Sequence, residues 1–218
     1  MKLFFINAYS KKDVLPLVKK IKISERLGLL TTAQYINQLD AIHKAIPRSV
    51  IGGQVIGCEA HNALKIKDQV DSFLYIGTGK FHPIEIALTT QKEVYLLNPE
   101  SETFSKLKKT EIKDYEKRKI GLKARFLSAE KIGILITTKP GQYHPKQYLD
   151  LQQKIDTIKK VKALKNKELH LFLFNKLDPT ELENYPDIDC WVNTACPRLK
   201  DDFLDKAVIN LSEINTLK

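Results

Sequence analysis

The sequence predicts an α/β protein of two related domains, each a small parallel sheet flanked by helices. Three observations predict it. Strand-like apolar runs alternate with helix-spaced apolar stripes from the first residues onward. The same rhythm restarts after a polar, lysine-rich stretch near the middle. Two segments of the second half then echo two of the first in the same order.

Lys2 to Ile6 reads as the first strand, and Val14, Leu17, Val18 and Ile21 then recur at helical spacing. Arg26 to Thr32 is a second apolar run, followed by a helix whose buried stripe is Tyr35 or Ile36, Leu39, Ile42 and Ile46. Short strands follow near Val50, at Phe73 to Ile76 and at Glu93 to Leu97. This βαβ succession is how a parallel sheet covered by helices is written in sequence. After Asn98-Pro99-Glu100-Ser101 the chain lacks core residues, which sets the expected domains at 1–105 and 106–218. A long charged helix is expected from about Ile112 to Lys131. Ile132 to Thr138 is then a strand, and Pro145 opens a helix with stripe Tyr148, Leu151, Ile155 and Ile158. Proline suits a first helical turn, where its missing N–H would have no partner. Leu169 to Phe174 and Ile188 to Thr194 complete the expected strands.

The echoes are specific. Leu27-Gly28-Leu29-Leu30-Thr31-Thr32 with Gln34 matches Ile132-Gly133-Ile134-Leu135-Ile136-Thr137-Thr138 with Gln142, allowing one extra residue. Asp71-Ser72-Phe73-Leu74-Tyr75-Ile76-Gly77 matches Asp189-Cys190-Trp191-Val192-Asn193-Thr194-Ala195. A ligand site is expected at the carboxyl ends of the strands, where the loops converge.

Composition narrows the function classes. At 218 residues and 43% hydrophobic content the chain can build real cores. No apolar run approaches the ~20 residues of a membrane span, and the N-terminal apolar stretch is short for a secretory signal; a cytoplasmic protein with no membrane partner is expected. Three cysteines at irregular spacing point to metal or thiol chemistry more than to a disulfide framework. A net charge of +10 suits an acidic partner. The lysines of Lys106 to Lys119 and Lys154 to Lys167 read first as solvated helix faces. No interleaved aromatics mark an RNA-binding module, and no spacing marks a zinc finger.

The cysteines separate by context. Gly53-Gln54-Val55-Ile56-Gly57-Cys58 and Asp189 through Cys196-Pro197-Arg198-Leu199 each set a cysteine in a loop after an apolar run, free to ligate a metal. At ~3.3 Å per extended residue, Cys190 and Cys196 stand roughly 20 Å apart if the strand continues to Ala195. One small cluster cannot span that, so Cys190 is expected to pack inside, beside Trp191. Cys58 and Cys196 are the better pair, and two thiolates leave a four-ligand site to be completed by something else.

Those two motifs, with Gly77-Thr78-Gly79-Lys80-Phe81-His82 between them, resemble the diphthamide synthases of the archaeal type, the 2-(3-amino-3-carboxypropyl)histidine synthases, over nearly the whole chain. The family has three similar α/β domains, each giving one cysteine to a 4Fe-4S cluster with one iron open to S-adenosylmethionine. Here Gln54 to Cys58 looks like the second domain's motif and Cys196 to Leu199 like the third's. The resemblance implies that the first domain and its cysteine are missing, so the expected reading is the C-terminal component of a split or truncated synthase. It implies transfer of the 3-amino-3-carboxypropyl group to C2 of a histidine of elongation factor 2.

The expected partners are an N-terminal half-chain carrying the first cysteine, elongation factor 2 as substrate, and a dimer mate. The expected cofactor-binding residues are Gly77, Gly79, His82, Gln142 and Arg198. The glycines allow close backbone approach, Lys80 and His82 add polar groups, and Arg198 offers a bidentate donor for a carboxylate. The loop fails as a phosphate loop because it lacks the full spacing. His43, His61, His144 and His170 have no metal-like spacing. Two other classes are kept: a non-catalytic structural or electron-accepting subunit, and a basic RNA-binding module on the same fold.

Overall fold

The computed structural model describes residues 6, 8–55, 60–138, 167–203 and 206–214. The strand expected at Lys2 to Ile6 and the helix expected from Pro145 fall almost wholly outside them. The chain divides into two compact units, Met1–Tyr115 and Glu116–Lys218.

In the first unit, α1 (Leu15–Val18) is a single turn, shorter than its stripe suggested, with Val14 and Val18 buried. β1 (Leu27–Thr31) is buried along its whole length and is the parallel neighbour of both β2 (Ser49–Gln54) and β3 (Ser72–Ile76). Between β1 and β2 a 3-10 turn, Ala33–Gln38, runs into α2 (Leu39–Ala45) and buries Tyr35, Leu39 and Ile42, as the stripe predicts. α3 (His61–Ile66) leads to β3, and α4 (Phe81–Thr90) to β4 (Val94–Asn98). The polar stretch after Asn98 is not coreless linker. It forms β5 (Thr103–Lys106), an exposed antiparallel edge strand on β4, and Leu107 beside it is buried in the core. The sheet order is β2-β1-β3-β4-β5.

Both faces of this sheet are covered. Leu27, Leu29, Leu74 and Ile76 pack with Val14, Tyr35, Leu39 and Ile42 on one side. Leu30, Phe73, Tyr75 and Leu96 pack with Ala63, Ile66, Ile84 and Ile86 on the other. Alternate residues of each central strand serve alternate layers, which is why those strands are apolar throughout.

α5 (Lys109–Ser128) enters the second unit, where Leu122 and Phe126 are buried. β6 (Lys131–Thr137) is flanked by β7 (Glu168–Phe174) and β8 (Cys190–Asn193), and β9 (Val208–Asn210) pairs with β8 before the short α6 (Leu211–Ile214). The order β7-β6-β8-β9 repeats β2-β1-β3-β4.

The repeat extends to single residues. Gly28 stands opposite Phe73 and Gly133 opposite Trp191. A Cβ on Gly28 would lie 2.6 Å from the Phe73 ring, and one on Gly133 would lie 2.4 Å from the Trp191 ring. Each glycine is the space that its neighbour's aromatic ring fills. Asp71 accepts from the Arg26 N–H, and Asp189 from the Glu130 and Lys131 N–H groups, each at 2.9 Å. The carboxylate thus fixes the start of the central strand in both units, and these bonds hold the Asp189 carboxyl below its usual range, with the Lys131 N–H the largest cause.

Candidate functional site

In the first unit the loops that carry the expected residues leave the carboxyl ends of β2 and β3. Gly53 adopts φ +97°, a conformation that side chains rarely tolerate, and so turns β2 at its end. The Asn62 side chain on α3 then donates to the Gln54 carbonyl at 2.7 Å, and the Val55 N–H donates to the Thr31 carbonyl at 2.7 Å. The chain leading towards Cys58 is therefore held up to Val55; Cys58 itself lies outside the described residues.

The β3 loop brings Gly77, Gly79 and His82 together. A Cβ on Gly77 would lie 2.7 Å from the Tyr75 hydroxyl, so glycine is required by crowding there. Gly79 has open space but φ +73°. The Tyr75 hydroxyl donates to the Thr78 carbonyl at 3.3 Å, bracing the loop from beneath. His82 lies in the first turn of α4, its ring 5.9 Å from that of Tyr75 and 5.3 Å from that of Phe81. The Lys80 ammonium pairs with Glu111 at 2.5 Å. That pairing, with the Lys108 N–H, lowers the Glu111 carboxyl's pKa.

In the second unit Cys190 is core, as expected, and not beside Trp191. Strand alternation sends Cys190 into the layer with Phe126 and Val192, and Trp191 to the opposite face with Phe203 and Leu182. The Cys190 side chain is 0% exposed within that layer, and burial pushes its thiol up to about 12. β8 also ends at Asn193 rather than continuing to Ala195, so the chain turns before Cys196.

Cys196 is an exposed free cysteine, on a loop whose backbone is bonded at nearly every step. The buried Asn193 side chain accepts from the Ala195 N–H at 2.9 Å and donates to the Cys196 carbonyl at 2.9 Å and to Asn210 at 2.8 Å. Asn210 donates to the Pro197 carbonyl at 3.0 Å. A 3-10 turn, Pro197–Asp202, follows, and within it Lys200 is 4% exposed with its ammonium 2.6 Å from Glu213 on α6. The other Glu213 oxygen accepts from the Asn210 N–H at 3.0 Å, and Lys119 lies 3.7 Å from the first. Arg118 donates to the Phe203 carbonyl at 3.3 Å. Arg198 projects from the same turn and is exposed. Gln142 lies outside the described residues.

Sequence reasoning singled out the cysteine and passed over Asn193, Asn210, Lys200 and Glu213. The signal was present at Asn193, a polar residue closing an apolar strand at the position where the other half has Tyr75. Among the described residues no three histidine, cysteine or acidic side chains gather into a metal site. The donor chemistry of an exposed, free cysteine on a fixed loop does fit one thiolate corner of an iron–sulfur cluster. His43 meets Ser49 at 2.9 Å and His170 meets Glu168 at 2.9 Å, both local pairings; His144 is outside the described residues. No helix among the described residues is long and apolar enough to cross a membrane.

Against known proteins, the family described as "Putative diphthamide synthesis protein" matches residues 1–216. The chain is similar to the 2-(3-amino-3-carboxypropyl)histidine synthase of Methanocaldococcus jannaschii, 28% identical over 198 residues that cover 88% of this chain and 51% of that protein. The Pyrococcus horikoshii synthase is 26% identical over 234 residues, covering 98% of this chain and 64% of that one. The chain thus spans about half to two thirds of those relatives' length. Among solved structures, Dph2 from Pyrococcus horikoshii with a 4Fe-4S cluster superposes with a TM-score of 0.75 at 25% identity, over 96% of this chain and 63% of that chain.

Proposed function

This chain belongs to the diphthamide synthesis protein family, and we propose that it is the cluster-bearing component of a cytoplasmic enzyme that transfers the 3-amino-3-carboxypropyl group of S-adenosylmethionine to C2 of a histidine of elongation factor 2. The observation that carries this reading is Cys196, an exposed thiol on a loop fixed from beneath, in a chain similar to a protein solved with a 4Fe-4S cluster. Cys58 and Cys196 would each hold iron. A third cysteine on an N-terminal half-chain would complete the ligand set, within a dimeric assembly.

When bound, such a cluster supplies the electron that breaks the sulfonium bond to the aminocarboxypropyl carbon. The chain's residues bind and aim. Arg198, a planar, permanently charged fork on the Cys196 turn, pairs with the amino acid carboxylate of the cofactor. Gly77 and Gly79 let the cofactor approach backbone N–H groups of the β3 loop, and His82 and Gln142 supply polar contacts. Positioning of this kind is what converts an encounter into a unimolecular step. In this reading the first unit carries Cys58 and the second carries Cys196.

The test is anaerobic reconstitution with iron and sulfide, followed by S-adenosylmethionine binding. Cluster-dependent binding that Arg198→Ala weakens tenfold or more supports the reading. Cluster without S-adenosylmethionine binding in any assembly would mark a structural or electron-accepting subunit, and salt-dependent RNA affinity without either would mark an RNA-binding module.

A further inference from the structure

We infer that Asn193 is a positioning residue for Cys196, acting through the loop backbone, with Asn210 as its support. The inference rests on the reading of Cys196 as an iron ligand. Asn193 is 2% exposed and uses its whole amide: the oxygen takes the Ala195 N–H, and the two N–H bonds go to the Cys196 carbonyl and to Asn210. Aspartate has no donor for the carbonyl, and an apolar residue has neither group. The Cys196 carbonyl also accepts from the Leu199 N–H at 2.9 Å, and the next carbonyl, Pro197, is held by Asn210. Both carbonyls that flank the Cys196–Pro197 bond are thereby fixed from the buried side, which leaves the thiol facing out.

An exposed surface loop does not require such a foundation. Burying four polar side chains, Asn193, Asn210, Lys200 and Glu213, carries a desolvation cost that only complete hydrogen bonding offsets. A solvated loop could end β8 without it.

The first unit supplies an independent observation. In the repeat, Asn193 matches Tyr75 and Cys196 matches Thr78. The Tyr75 hydroxyl donates to the Thr78 carbonyl as the Asn193 amide donates to the Cys196 carbonyl. The same brace, from strand end to the residue three positions on, is built twice with different chemistry. It belongs to the loop's geometry rather than to one side chain's local preference.

A nitroxide label on Cys196 in the Cys58→Ala chain reports that geometry without iron, because Cys190 is buried and does not react. Asn193→Ala and Asn193→Asp are expected to narrow the spin-label spectrum, showing a freer loop, while Ile209→Val, a destabilised core control, keeps the parent line shape. In the unlabelled chain with all cysteines, reconstituted with a segment bearing the third cysteine, retained iron is expected to fall about fivefold in Asn193→Asp, the size of one lost hydrogen bond. Should the Asn193 variants fail to fold, Asn210→Ala, which frees the Pro197 carbonyl, decides by the same line shape. An unchanged spectrum in a folded Asn193 or Asn210 variant overturns the inference. If Cys196→Ala retains as much iron as the parent, each reconstituted with a segment bearing the third cysteine, the ligand reading of Cys196 fails, and the line shape still decides the role of Asn193.

Discussion

Replacing Gly133 by alanine tests how the second sheet is built. A Cβ there would meet the Trp191 ring at 2.4 and 2.5 Å and the Ile188 side chain at 3.1 Å. Trp191 has little room to retreat, because its ring packs on Phe172 at 4.8 Å and near Tyr185 at 6.2 Å, and it is 2% exposed. Two effects oppose each other. Alanine reduces the unfolded chain's freedom, which stabilises by about 0.4–1 kcal/mol where the backbone fits. Pressing a methyl group more than an ångström inside van der Waals contact costs about 1–3 kcal/mol or more in a packed core. The steric cost wins, giving a net loss of roughly 1–2 kcal/mol. Urea denaturation followed by far-UV circular dichroism reads this in every arm, including those that lose Trp191, the single tryptophan. Trp191→Leu in the Gly133→Ala background should recover part of the loss, a coupling that a double-mutant cycle isolates. A neutral or stabilised Gly133→Ala would refute the reasoning, and with it the claim that Gly28 and Gly133 are the same device in two units.

Other outcomes follow from the same structure. Because Cys190 stays protonated to about pH 12 in the fold but ionises near 9.0 when unfolded, stability falls with rising pH across that window by up to about 1.4 kcal/mol per unit; the gap between the native chain and Cys190→Ala in urea titrations should narrow from pH 9 upward. Asp189→Asn removes a carboxylate acceptor of two backbone bonds and should cost about 1 kcal/mol at neutral pH. The Asp189 pKa is lowered in the fold, so its contribution is present above the ordinary value of 3.8 and is lost as pH falls through the folded value; acid melts of the variant should accordingly be shallower there. Glu213→Ala strips the partner of the buried Lys200 ammonium and should cost about 3–5 kcal/mol by chemical denaturation.

Much of the fold was legible because burial on both faces leaves a plain mark. β1, β3 and β6 are apolar at nearly every position, and their starts and ends fall within two residues of the expected ones. The repeat was legible for the same reason, since Gly28 and Gly133 keep their places under an aromatic ring. β5 was not, because all four of its residues are exposed and polar pairing at an edge resembles a loop. α1 was overextended: Leu17 and Ile21 are only partly buried on that core, so the stripe continues beyond the helix that made it. The foundation of the Cys196 loop joins residues 119, 193, 200, 210 and 213, each of which on its own looks like a solvent-facing polar side chain. Its polar atoms are satisfied only by tertiary contact, and no local spacing records that. The motif around Cys196 was visible as a loop after a strand; Cys190 is buried as expected, although the strand ends at Asn193 and not at Ala195, the end on which the expected distance rested.

The most direct measurement is iron and sulfide content after anaerobic reconstitution of this chain with a candidate segment bearing the third cysteine, compared with Cys58→Ala, Cys196→Ala and Cys190→Ala. The account predicts a cluster with its visible absorbance in the parent, lost in the first two variants and kept in Cys190→Ala. A cluster that survives Cys196→Ala, or that depends on Cys190, would contradict it.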